Sequence, residues 1–507
     1  HLSVMTDPLG VQTVTRTWQA DGADVTETVT PGVTNRTVRH VGGATVGERF
    51  WDGKWTRETR STSYGPDGCR AETAVTESSD CPAVTNSVTA YDFLGRVVSV
   101  VTPLGVTSNF YDGASSRILR VSRTGQPDTL YEYEAGSAGV PARTVLDVNG
   151  NGVIDDAGTD RISASIETYE TDTSMIVWRV TSRSESVGGV TNALTVTREQ
   201  LNGLSPALLS RTVTVSADAF TTTVARAFEP GTDVIAETSQ AGTAAPRVRR
   251  TLYGRELESA GPESATLLAY DGLGRAVSRA VTNAAGTVSA TAVVYDSLGN
   301  AVTNETAYGS LTAVTATAYD SQGRAVSQTD ALGNAVFTTY DNLGQVLGQS
   351  GATYPVAYGY DTAGRMTALS TTRDGETWDT TLWLYDHATG LLMNKVYADN
   401  SRVSYTHTQS GQPRRTAWAR GAWKENAYDA LGQLASVIYN DNTPDVHHAY
   451  GVFGHAAASS NYVAQYEYAN SLSGVATNET VTVSGDTAIL ALTLDNRHRL
   501  SVLHAGN

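Results

Sequence analysis

Lysine is almost missing from these 507 residues: only Lys54, Lys395 and Lys424 occur. Cysteine is down to two, Cys69 and Cys81, methionine to four and phenylalanine to seven. Charged residues make up only 17% of the chain, and their balance is acidic, with a formal net charge of −16. That acidic balance argues against nucleic acid as a partner, because a phosphate binder needs a basic face. No apolar run nears the roughly 18 residues that cross a bilayer as a helix, so no membrane span is expected. A Gly-x-Ser-x-Gly elbow, a phosphate-cradling glycine loop, a zinc-type His pair and a dinucleotide fingerprint are all lacking in a fitting context. The chain opens HLSVMTDPLG, with neither an initiator Met nor a basic-then-apolar leader, which reads as a processed product or an excised piece.

Thr, Val, Ala, Ser and Gly are plentiful instead. Thr and Val favour strands and Gly supplies turns, so the chain reads as all-β. With 40% apolar residues it has the means to bury a large core.

One phrase recurs, Tyr-Asp-x-x-Gly. It begins at Tyr91 and returns as Tyr270-Asp271…Gly274, Tyr295-Asp296…Gly299, Tyr319-Asp320…Gly323, Tyr340-Asp341…Gly344, Tyr360-Asp361…Gly364 and Tyr428-Asp429…Gly432. YDHATG at Tyr385 carries an extra residue, and worn copies start at Tyr405, Tyr450 and Leu494. Half-phrases fall between: TDPLGV at Thr6, VTPLGV at Val101 and TDALGN at Thr329. A period of roughly 20 to 25 residues, halved by these, leaves strands of about six or seven residues, the rhythm of antiparallel hairpins. Asp closes an Asx-type turn, Gly supplies φ > 0, and Tyr ends a strand with its ring toward its copy in the next hairpin and its hydroxyl near a partner. One such hairpin is barely stable alone, whereas stacked copies share edges.

This phrasing resembles the YD-repeat or Rhs-repeat family, which includes bacterial Rhs proteins, the B and C components of insecticidal toxin complexes, and teneurins. The match is clear from about Tyr270 to Tyr468 and patchy from Thr6 to Tyr111. The resemblance implies antiparallel hairpin repeats in a long sheet that spirals into a hollow shell. It implies a secreted or cell-surface scaffold with an enclosed polypeptide or an adhesive role. Toxin-bearing members end in a core segment and an Asp-Pro-rich self-cleavage site, and this chain has neither at its close, NRHRLSVLHAGN. Three segments follow: 1–88 with degenerate repeats and the Cys pair, 89–260 with divergent repeats and an inserted loop, and 261–507 with the regular array.

The inserted loop, DVNGNGVIDDAGTD from Asp147 to Asp160, reads as a structural Ca²⁺ site. Asp147, Asn149 and Asn151 place oxygens at alternating positions, Gly152 permits the bend, Val153 offers its carbonyl and Ile154 is the apolar anchor. Gly158 stands where a bidentate Glu is usual, so Asp155, Asp156 or Asp160 must close the shell. Cys69 and Cys81, close in sequence, suggest a hairpin disulfide and an oxidising compartment.

Of nine histidines, His387, His407, His447, His448, His455, His498 and His504 crowd the last third, beside Trp378, Trp383, Trp418 and Trp423. Trp and Tyr suit sugar faces, Arg neutralises a uronate, and a Tyr or His acts as general base. Tyr405, His407, Arg414, His447, His448 and Tyr450 are therefore candidates for a lyase on uronate-containing glycans, the alternative to the scaffold, with a polysaccharide or surface glycan as partner. Packing inside the repeat is the preferred account of the same residues. A further alternative is a self-assembling extracellular fibre, since open sheet edges invite self-association.

Overall fold

The computed structural model describes residues 1–7, 11–134, 139–204, 208–216, 221–470, 476–483, 486–494 and 500–506. Among them are forty-three strands and no helix. Each strand pairs antiparallel with the one before and the one after it in sequence, so the whole forms a single meandering sheet. It runs unbroken through the three sequence segments: residues 88 and 89 share the strand Cys81–Tyr91, and Arg255–Ala260 pairs with Ala265–Tyr270.

Because every connection is a hairpin, successive turns fall alternately on two rims. The full Tyr-Asp-x-x-Gly turns, such as 92–95, 271–274, 341–344 and 429–432, all lie on one rim, here the upper. The half-phrase turn at Asp330 lies on the lower rim. The half-phrase at Thr6 and the worn copy at Leu494 extend into 8–10 and 495–499, outside the described residues, as does His498.

The sheet coils on itself. The turn after the fifth strand meets the turn after the twenty-eighth, twenty-three strands on. Four hydrogen-bonded contacts between rims join residues 282 to 306 apart in sequence. The lower rim of the first coil thus sits on the upper rim of the second.

Sequence composition suggests a large core, and the structure corrects that. The chain exposes 29286 Å², against roughly 18,000 Å² for a compact globule of this mass. A one-layer wall buries little, and few side chains are fully enclosed. The buried apolar cluster among the described residues is Leu130, Val145 and Ile162, with Ile154 packed against it.

Candidate functional site

In each full phrase the Asp carboxylate organises the turn. Asp320 Oδ1 accepts the N–H of Gln322 (2.8 Å) and of Arg324 (3.0 Å), and its Oδ2 accepts Arg324 Nε at 2.7 Å. Gly323 N–H donates back to the Asp320 carbonyl at 3.0 Å, with Gly323 at φ +76°. This is a tight turn closed by a left-handed glycine, and the pairing register slips by one between Ala318 and Tyr319. Backbone N–H donation from Arg275 first, then its guanidinium, holds the Asp271 carboxyl below the usual carboxylate range. The Asn300 side chain does the same for Asp296.

Tyrosine joins one phrase to the next. The Tyr295 hydroxyl donates to the Ala276 carbonyl (2.8 Å), Tyr319 to Ala301 (3.0 Å), Tyr340 to Ala325 (2.8 Å) and Tyr450 to Leu434 (2.9 Å). The acceptor in each case is the residue after the sixth position of the preceding phrase. The sixth residue, when Arg, covers the next tyrosine: Arg275 lies 4.5 Å from the Tyr295 ring centroid, Arg324 4.9 Å from Tyr340 and Arg365 4.7 Å from Tyr385. A Gln there reaches the next turn, as Gln433 Nε2 does to the Gly454 carbonyl at 3.0 Å. Sequence reasoning assigned the sixth position no role and gave the ring a tyrosine neighbour. The facing partner is a guanidinium.

The seam between coils is built from different residues. Asp52 and Gly53, at φ +45° and +76°, make a two-residue hairpin turn of the Asp-Gly kind. Asp52 Oδ2 there accepts the Asn342 N–H at 3.1 Å. Lys54 Nζ donates to the Tyr360 carbonyl at 2.7 Å. Asp80 Oδ2 accepts the Thr362 N–H at 2.8 Å, and the Thr362 hydroxyl sits against both Asp80 Oδ1 and Ser78 Oγ, with one proton to give to either. Arg161 Nη2 donates to the Val452 carbonyl at 3.2 Å. Gly32 leaves the room: a Cβ there would stand 2.2 Å from Asn342 Cγ. Sequence reasoning singled out none of these contacts. The one local signal is Lys54, a rare lysine beside an Asp-Gly turn.

Two cavities lie along the seam. One of about 960 Å³ is lined by Asp80, Cys81, Arg365, Trp383 and His387 among others. The other, about 650 Å³, lies between Arg161 and Val190 on one coil and Asp429, His448 and Tyr450 on the next.

The lyase candidates do not converge. His448 and Tyr450 share the second cavity, but the Tyr450 hydroxyl is committed to Leu434, and His447 points to the opposite, exposed face. Tyr405 and His407 stand on Arg402–His407, four strands from Val446–Tyr450, which is roughly 19 Å across a sheet. Arg414 is held by Glu425 at 3.1 Å. Three of the four tryptophans have a cation at the ring: Arg415 lies 4.0 Å from Trp423, Lys395 5.3 Å from Trp383 and Arg420 5.6 Å from Trp418.

The inserted loop gathers two enclosed carboxylates, Asp147 at 2% and Asp160 at 0% exposure. Asp147 accepts the N–H groups of Gly150 (2.8 Å), Asn151 (3.2 Å) and Gly152 (2.7 Å). Asp160 accepts those of Val148 and Asp155, both at 3.1 Å. Asn149 and Asn151 cap Asn151 and Val153 within the same bend. Asp160, not Asp156, closes the loop on Asp147, because Asp156 is drawn off by Arg143. Among the described residues, no ion pair reaches Asp147 or Asp160, and no group of three or more His, Cys, Asp and Glu is placed to hold a metal. Any cation must draw on amide and carbonyl oxygens as well.

The disulfide expectation fails. Cys81 faces Ser78 at one end of the hairpin Arg70–Ser78/Cys81–Tyr91, whereas Cys69 precedes Arg70 at the other. Eight strand steps separate the ends, roughly 26 Å, and both thiols are free. Nearness in sequence is not nearness across a long hairpin.

No protein-family model and no curated protein matches the chain. Solved structures do. The crystal structure of TcdB2-TccC3 without its hypervariable C-terminal region superposes over 97% of this chain with a TM-score of 0.60 at 12% identity. A TcdB2-TccC3-TEV structure covers the same 97% at 14% identity with a TM-score of 0.47. This chain spans 27% of the first relative's length and 28% of the second's. The fold is that of a spiralling YD-repeat shell, as the repeat phrase implies.

Proposed function

We infer that this chain is a section of shell wall, secreted or held at a cell surface, whose task is to enclose a polypeptide. The observation that carries this is the seam. Two coils of one sheet are clasped rim to rim through Asp52, Lys54, Asp80 and Arg161, which turns a ribbon into a wall. Small-angle scattering tests the wall: a radius of gyration well above the roughly 23 Å of a compact chain of this length supports it, and a value near that figure rejects it. Enclosure has its own test. A disordered polypeptide fused after Asn507 is digested more slowly on the native wall than on an Asp52→Ala/Asp80→Ala wall; equal rates reject enclosure and leave the wall intact.

The inserted loop is, in this reading, a Ca²⁺-stapled bend. Two buried carboxylates without a cation are costly, since buried charges are paired or bound to metal. Asp147, Asp160 and the Asn149 and Asn151 amides fit a hard, oxygen-seeking ion, with the Val153 carbonyl. Binding to the folded state alone raises the melting temperature. A Ca²⁺-dependent rise that Asp160→Asn abolishes supports the staple, and no shift rejects it.

Contact with glycans rests on the exposed rings of Trp378 and Tyr354. A panel of acidic polysaccharides tests it, by retention on the immobilised chain and by absorbance of unsaturated ends. The scattered candidates favour retention at most, without cleavage.

A further inference from the structure

Along the seam Asp52, Lys54 and Asp80 each meet a partner on the neighbouring coil. The cavity of about 650 Å³ holds an exception. Its walls are the start of the Arg161 strand and the turn at Gly188 on one coil, and residues 429–433 and 448–452 on the other. Both coils run on past it, to Leu208–Ser216 and to Ala464–Asn470, so it lies within the described sheet.

Arg161 enters this cavity without a counter-ion: among the described residues no carboxylate pairs with it. Its Nη2 donates to the Val452 carbonyl at 3.2 Å, while its Nε is enclosed and meets no acceptor. Gly454, at φ +83°, leaves the guanidinium its room, since a Cβ there would stand 2.9 Å from Nη1 and Nη2. An enclosed nitrogen of this kind is costly and marks where a further polar partner belongs.

The facing coil offers an open acceptor. Where the sixth residue of a phrase is Arg or Asn, its side chain occupies the Asp Oδ2, as at Asp320 and Asp296. In the phrase from Tyr428 that residue is Gln433, which turns to the Gly454 carbonyl instead. Asp429 keeps its Oδ1 on the N–H groups of Leu431 and Gln433, and its Oδ2 takes no protein donor among the described residues. His448 is half-buried in the same wall, and its ring likewise makes no hydrogen bond there. Val190, Leu431 and Val452 supply the apolar lining.

A carboxylate suits Arg161, whose planar fork can take one in two bonds. Hydroxyl groups suit Asp429 Oδ2, which only accepts, and His448, which accepts or donates. The volume is of small-molecule size, and an apolar wall with a few converging polar groups is the usual make-up of such sites. A sugar acid combines all of this, its ring C–H face meeting Val190 and Leu431. We propose that this seam cavity binds a uronate-type sugar acid, with the carboxylate on Arg161 of one coil and hydroxyls on Asp429 and His448 of the next. The site is separate from the exposed rings of Trp378 and Tyr354 and depends neither on enclosure nor on cleavage.

Calorimetric titration of the whole chain with D-glucuronate tests it, together with the histidine ring signals in the NMR spectrum. Saturable binding is expected, and the ring signal that His448→Ala removes is the one that should move. Arg161→Gln should weaken binding more than about tenfold. Glucose, which lacks the carboxylate, and acetate, which lacks the hydroxyls, should bind as weakly as that. His448→Ala removes no side-chain bond within the protein, so it should weaken binding several-fold at an unchanged melting temperature. Should Arg161→Gln loosen the seam itself, the His448→Ala, glucose and acetate arms decide alone. A short oligoglucuronide that moves the same signal places a chain end in the cavity, and one that does not leaves the free acid as the occupant. Absence of saturable binding, a His448 signal that stays put, glucose or acetate binding as tightly, or undiminished binding in a folded Arg161→Gln chain would overturn the proposal.

Discussion

One carboxylate satisfies two backbone N–H groups and a guanidinium at the Asp320 turn. Asp320→Ala leaves those donors to water and should destabilise the chain by about 1 kcal/mol or somewhat more, read as a lower urea midpoint. Gly344→Ala isolates backbone strain, because nothing lies within 4 Å of the added Cβ while φ is +85°; the expected loss is about 1–2 kcal/mol. Tyr295→Phe keeps the face under Arg275 and loses only the bond to Ala276, so it should cost about 0.5–1.5 kcal/mol, whereas Tyr295→Leu costs more. Acid acts on several of the turns together. Backbone donation from Thr377 pulls Asp374 to about 2, and Asp271, Asp296 and Asp330 are also held below the ordinary 3.8. A carboxyl whose folded pKa is depressed stabilises the fold above its unfolded pKa and loses that contribution as pH falls through the folded value. Stability should therefore be flat near neutrality and fall below roughly pH 4, as followed by urea midpoints at stepped pH.

At the scale of strands and turns, the sequence is readable wherever the partners are neighbours in the chain. Asp and Gly dictate the turn, Val and Thr the strands between, and both appear in the structure where the repeat places them. Tyrosine's hydroxyl partner lies one hairpin back and was legible in kind, though the guanidinium over its ring was not. The Asp147 bend was legible too, down to Ile154 entering the Leu130 cluster. Pairing across a long hairpin was not, because it depends on register. Cys69 and Cys81 are separated by the length of a strand that sequence spacing does not reveal. Thiol titration of the unfolded, unreduced protein should accordingly find both thiols reactive, and a value near zero would restore the disulfide. Within the fold, Cys81 should react slowly, since burial pushes its thiol pKa up.

For the molecule as a whole, local code gives way to closure. Nothing near Asp52 in sequence names Asn342 as its partner, 290 residues on; the meeting follows only after twenty-three strands have each added their twist. The enzyme candidates were hard to read for the same reason, since clustering in sequence along a meander spreads residues across strands instead of converging them. Curvature must therefore be tested directly. Cysteines at positions 52 and 342, introduced by Asp52→Cys and Asn342→Cys in a Cys69→Ser/Cys81→Ser background and carrying spin labels, report the distance between the two coils. The coiled wall predicts a short separation, within about two strand spacings plus the label arms. An uncoiled sheet of twenty-three intervening strands would set the labels roughly 110 Å apart, and a distance approaching that would contradict the coil.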